Sequence, residues 1–215
     1  MKEISILVAG LLLASSIGFS DETKVKITKN TSSVTVSHLG QKVEIKRIQD
    51  PYHVLSDDYT KTSRECPPFC IHPMKVAKGV KTIGEVELID YIKNYVNKNK
   101  GVIIDARLPS WYNVETIPSA INIPFTLLEN ADKETIDTIF SSLGAKKQGN
   151  GWDFTNAKTL IVFDNGVWCD QATRFIKSLL KIGYPASKVV YYRDGFQGWK
   201  LLGLTTVIMD KKEVK

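Results

Sequence analysis

Thr159-Leu-Ile-Val-Phe-Asp-Asn-Gly-Val-Trp-Cys-Asp170 runs directly into Gln171-Ala-Thr-Arg-Phe-Ile-Lys-Ser-Leu-Leu-Lys-Ile182, a short apolar run followed by a periodic one. Thr159 to Phe163 is brief and unbroken, the pattern of a strand covered on both faces. From Ala172 to Ile182 the residues Phe175, Ile176, Leu179 and Leu180 recur at helical spacing, and Gly183 supplies the stop. The same alternation extends outward. Glu85 to Val96 places Val86, Ile89, Ile92 and Val96 at helical spacing. Val102 to Ile104 reads as a buried strand ending at Asp105, and Ile121 to Ile123 as a strand stopped by Pro124. Asp132 to Leu143 predicts a helix through Ile136, Ile139, Phe140 and Leu143, stopped by Gly144, and Val189 to Tyr191 is the last strand. Strands alternating with helices imply an α/β fold, a small and mostly parallel sheet with helices on both faces.

Ahead of this pattern the chain reads differently. Val34-Thr-Val36 and Val43-Glu-Ile45 flank a Leu39-Gly40 turn, the alternation of a half-buried β-hairpin. From Asp50 to Lys81 the chain is turn-rich, with Pro51, Pro67, Pro68 and Pro73, and reads as an irregular but ordered clasp. At the start, Lys2, the apolar run Ile4 to Ala14 and the small residues up to Ser20 have the layout of a secretory signal peptide cut before Asp21. The apolar run is shorter than the roughly 20 residues of a spanning helix. The expected division is a signal peptide at 1–20, hairpin and clasp at 21–78, the α/β domain at 79–208 and a tail at 209–215. The expected location is periplasmic or secreted, without stable membrane insertion after cleavage.

In open α/β sheets ligands bind beyond the carboxyl ends of the strands. That directs attention to the loop after Phe163. Its Asn165, Gly166, Val167, Trp168 and Asp170, with a helix N-terminus behind them, suit an anion-binding cradle. Cys169 stands at the first helical turn, where the dipole favours thiolate. A buried structural cysteine is the alternative; the polar neighbours Asp170 and Gln171 favour an accessible thiol.

At this loop the sequence resembles the rhodanese family, over roughly Gly79 to Val207. Gly101-Val-Ile-Ile-Asp-Ala-Arg107 is similar to the family's strand and Asp-x-Arg signature. Glu115-Thr-Ile-Pro-Ser-Ala-Ile-Asn-Ile-Pro124 is similar to its Gly-His-Ile-Pro-Gly-Ala-x-Asn-Ile-Pro segment, with Thr116 where histidine is usual. Tyr191-Tyr-Arg-Asp-Gly-Phe-Gln-Gly-Trp199 resembles the closing Gly-Gly-x-x-x-Trp element, with Asp194 for the first glycine. The hairpin and the Glu65-Cys-Pro-Pro-Phe-Cys-Ile-His-Pro-Met74 segment resemble those of an exported subset of the family.

The resemblance implies a persulfide-bearing cysteine directly after the central strand, in a loop reading Cys-Asn-Gly-Pro-x-Cys in that subset. Here the loop reads Asp164-Asn-Gly-Val-Trp-Cys169, so Asp164 stands at the nucleophile position. A carboxylate holds no persulfide and repels anions. Two readings stay open: Cys169 accepts sulfur in its place, from a small sulfur-containing anion or a thiol or persulfide donor protein, or the domain is an inactive binding or regulatory module. A cysteine-protease reading fails, because no histidine follows Gly79. Asp105, Arg107 and Trp199 are expected to be structural.

Three cysteines leave an odd one. Cys66 and Cys70 are close enough for a local disulfide in an oxidising compartment, leaving Cys169 free. With His72 and Met74 they also make a set that suits copper(I); the disulfide is the preferred reading, and no metal or cofactor is assigned. The net charge of +6 does not indicate nucleic acid. Acids accompany most lysines, and the acid-free Lys93 to Lys100 contains a single aromatic, Tyr95.

Overall fold

Ser33–His38 (β1) and Gln41–Lys46 (β2) pair antiparallel about the Leu39-Gly40 turn, where both residues take positive φ. The alternation read in the sequence is the alternation of burial: Val34, Val36 and Ile45 face inward. The computed structural model describes residues 24–209. The expected signal peptide at 1–20 lies outside them, as does the tail beyond Met209.

After the clasp come Lys81–Ile83 (β3), Glu85–Tyr91 (α1), Gly101–Asp105 (β4), Pro109–Tyr112 (α2), Glu115–Thr116 (β5), Ala120–Asn122 (β6), Thr126–Glu129 (α3) and Lys133–Ser142 (α4). They are followed by Lys146–Gln148 (β7), Gly151–Asp153 (β8), Thr159–Phe163 (β9), Gln171–Lys181 (α5), Val189–Tyr192 (β10), Gly195–Leu201 (α6) and Val207–Ile208 (β11). The central sheet has the order β3-β10-β9-β4-β6 and is parallel throughout. One face buries Phe140, Phe175, Ile176 and Leu179 from α4 and α5. The other buries Leu88, Ile89, Phe196 and Trp199 from α1 and α6, together with the hairpin's Val34, Val36 and Ile45. The small parallel sheet with helices on both faces, preceded by a hairpin, is the expected fold.

Several details differ from the sequence reading. Lys81 closes no linker but opens β3, an edge strand whose three residues carry too little pattern to announce it. Val86 is exposed; Leu88 takes its place on the buried face of α1, which continues into a π-helical turn at Ile92–Val96. Ile121 is exposed on the edge strand β6. The β7–β8 hairpin is almost wholly polar and gives no apolar alternation to read.

Candidate functional site

β9 delivers the loop 164–170 to the carboxyl edge of the sheet, and α5 begins directly behind it. The strand is central, paired with β4 on one side and β10 on the other, so its last residue is fixed by two ladders. Asp164 follows and is fully buried. Its carboxylate accepts the amide of Gly166 at 3.1 Å and that of Ala172 at 2.8 Å. Two backbone donors of this end of the sheet, one in the loop and one in α5, are therefore spent on the chain's own side chain. Burial pushes the Asp164 carboxyl up to about 7, against the lowering effect of the two amides.

This corrects the expected cradle. The site is built, but it is turned inward, and Ala172, absent from the set read in the sequence, supplies one of its donors. Val167 and Trp168 serve other partners: the Val167 carbonyl accepts from the His72 amide at 2.8 Å, and the Trp168 indole donates to Gln197 at 2.7 Å. Asp170 lies 3.8 Å from Arg174 at the exposed end of the loop.

Cys169 is also corrected. It is a free thiol but buried rather than accessible. Burial raises its pKa strongly, and the Asp164 charge beside it adds to the effect. The helix-dipole argument for a thiolate is outweighed, because desolvation of an anion exceeds a dipole contribution of roughly 0.3–1 kcal/mol. The Asn165 side chain nevertheless donates to its sulfur at 3.8 Å, and hydrogen bonding from the Gln171 and Asn165 backbone works against the rise. On the neighbouring strand the Tyr191 hydroxyl is buried without a hydrogen-bond partner.

Arg107 organises the floor. Its guanidinium is buried and bidentate to Asp105, at 2.9 and 2.6 Å. It also reaches the Glu115 carbonyl at 2.7 Å and the Tyr59 hydroxyl at 3.0 Å. Burial works against its charge, but the Asp105 carboxylate holds its pKa above the ordinary value. Thr116, at the usual histidine position, donates to Asp105 at 2.8 Å. Asp105, Arg107 and the wholly buried Trp199 thus hold the architecture, as expected.

The clasp folds over the loop, which no pattern in residues 50–81 revealed. Tyr59, buried, donates to Asn165 at 2.8 Å, and its carbonyl accepts from Gln197 at 2.6 Å. Phe69 meets Trp168 edge-on with centroids 5.7 Å apart, and the Arg64 guanidinium lies 3.7 Å over the same indole. Cys66 and Cys70 form a disulfide with Cα atoms 4.7 Å apart. Both thiols of the copper(I) set are thereby bonded to each other. Among the described residues no group of three or more His, Cys, Asp or Glu side chains comes together for a metal, and no helix is long and apolar enough to cross a membrane. Besides Ala172, Tyr59 is a site residue that the sequence reading missed; a lone tyrosine in an irregular segment carries no signal of its own.

Among curated proteins nothing matches the chain. Solved structures similar to it include a Bacillus halodurans protein, at 19% identity over 56% of this chain and 71% of that one, with a TM-score of 0.40. A thiosulfate sulfurtransferase of Pseudomonas aeruginosa is similar at 20% identity over 61% of this chain, with a TM-score of 0.43; the match spans 21% of that protein. A human single-domain sulfurtransferase is similar at 18% identity over 56% of this chain and 96% of its own, with a TM-score of 0.40. The sequence model of the rhodanese-like domain matches residues 88–202, just over half of the 215 residues. The chain belongs to the rhodanese-like domain family.

Proposed function

We propose that this protein is an exported rhodanese-like module that does not carry out thiosulfate sulfur transfer and instead recognises a thiol- or persulfide-bearing partner protein. The observation that carries the reading is the Asp164 carboxylate seated on the Gly166 and Ala172 amides. Asp164 follows β9 directly, where the family resemblance calls for the nucleophile. A carboxyl group there forms no persulfide, and it fills the donors that an incoming sulfur anion needs. Export is supported by the layout of residues 1–20 and by the Cys66–Cys70 disulfide, a bond that persists in oxidising compartments. Exposed Ile71 and Met74, on either side of the His72 that binds the loop, give a partner an apolar surface beside it.

The test is sulfur transfer from thiosulfate to cyanide. Wild type is expected to show none above the uncatalysed background. Asp164→Cys is expected to gain measurable transfer, limited by Tyr59 and Trp168, which still cover the loop. Wild-type activity that survives Cys169→Ser would contradict the reading. A second reading, sulfur accepted by Cys169, is favoured by the Asn165 side chain, which donates to its sulfur at 3.8 Å. It requires the clasp to lift first.

A further inference from the structure

Apart from Tyr59, the contacts that hold the clasp on the loop crowd around its disulfide. Phe69 lies inside the ring closed by Cys66 and Cys70 and meets Trp168. Arg64, two residues before Cys66, lies over the other part of the same contact. His72, two residues after Cys70, donates to the Val167 carbonyl and accepts two hydrogen bonds from Arg193, at 3.2 and 2.6 Å. Val167 and Trp168 immediately precede the buried Cys169. Each contact is of modest strength and must offset the entropy of ordering residues 64–72, a cost that the covalent ring lowers. Cys66 is exposed and Cys70 half-buried, so a thiol from solvent can reach the bond.

We propose that the Cys66–Cys70 disulfide is an exchange site for a reducing dithiol partner, and that its reduction releases the clasp and opens the loop to Cys169. A partner thiolate attacks the sulfur of Cys66, the more exposed residue of the pair, forming a mixed disulfide while Cys70 leaves as thiolate and takes up a proton. The partner's second thiol then displaces Cys66 and closes a disulfide on the partner. Two electrons pass from the partner to the clasp, and every sulfur is accounted for. Cys169 takes no part in the exchange; what changes is access to it. The inference does not depend on the role given to Asp164.

The experiment is maleimide labelling of the folded mature protein, with the rate at Cys169 read by peptide mass. Labelling is expected to be slow in the oxidised protein. After dithiothreitol reduces Cys66–Cys70 it should accelerate about tenfold, equivalent to roughly 1.4 kcal/mol of opening free energy. The double variant Cys66→Ser with Cys70→Ser should label as fast without reductant, and Phe69→Ala should give part of the increase with the disulfide intact. Reoxidation of the wild type before labelling should restore the slow rate, which separates a reversible gate from unfolding and decides the matter if the double variant fails to fold. An increase below about threefold on reduction overturns the proposal, as does a fast rate that reoxidation does not reverse.

Discussion

Asp164 is buried beside Cys169 with both oxygens engaged, and burial still dominates its titration. Its carboxyl is raised from the ordinary 3.8 to about 7, so the folded chain holds a proton that the unfolded chain has already released. The resulting contribution to stability is fully present below about pH 4 and is lost as pH rises through about 7. We expect wild type to melt at a higher temperature at pH 5 than at pH 8, and Asp164→Asn to flatten that difference. Thermal melts of the two proteins across this range check it, and an unchanged slope in the variant would place the titration elsewhere. The sequence showed that a carboxylate stood at the end of β9, because position within the loop is a matter of order along the chain. It did not show where the carboxylate turns, nor that Cys169 is buried. Polar neighbours at 170 and 171 suggested an accessible thiol, but exposure is a property of the packed fold, and Cys169 is 5 % exposed.

Strands and helices were legible wherever burial imposes a period. β9, α4 and α5 emerge within a residue or so of their expected bounds, since each presents a full apolar face to a core. β3, β7 and β8 were not legible: three residues at an edge or in a polar hairpin bury too little to leave a pattern. The closing element from Tyr191 to Trp199 shows how a motif becomes geometry. Gly195 starts α6 with φ near +59°, and a Cβ there would lie 2.5 Å from the Asp164 carbonyl oxygen and 2.6 Å from the Gly166 amide. Asp194 keeps an ordinary helical φ of −71°, so a side chain is tolerated at the first glycine position and not at the second. We expect Gly195→Ala to cost about 2–4 kcal/mol in denaturant unfolding, from positive φ and overlap together. It should also disturb the nearby loop, and a loss below about 0.5 kcal/mol would mean that the two segments are not packed this closely.

At the scale of the molecule, the hairpin and the sheet are joined through one of the two cores. Ile45 is fully buried, the Lys46 carbonyl accepts from the Thr205 amide at 2.9 Å, and the Ile48 amide donates to the Gly203 carbonyl at 2.7 Å. The segments read in the sequence as separate units, 21–78 and 79–208, therefore share the cluster that contains Leu88, Phe196 and Trp199. Ile45→Ala should remove roughly 2–5 kcal/mol from the whole protein in a single transition, whereas an early separate transition of the hairpin would show that the shared core is not cooperative. The same continuity lets the clasp, anchored at its start by the hairpin and at its end by β3, lie across the loop at Asn165, Val167 and Trp168. This loop, occupied by Asp164 and crossed by the clasp, is expected to accept no sulfur from small donors. Intact-mass measurement of the folded, oxidised protein after incubation with thiosulfate or polysulfide tests it most directly. An unchanged mass is expected. Addition of a sulfur atom, mapped to Cys169 and abolished by Cys169→Ser, would contradict it.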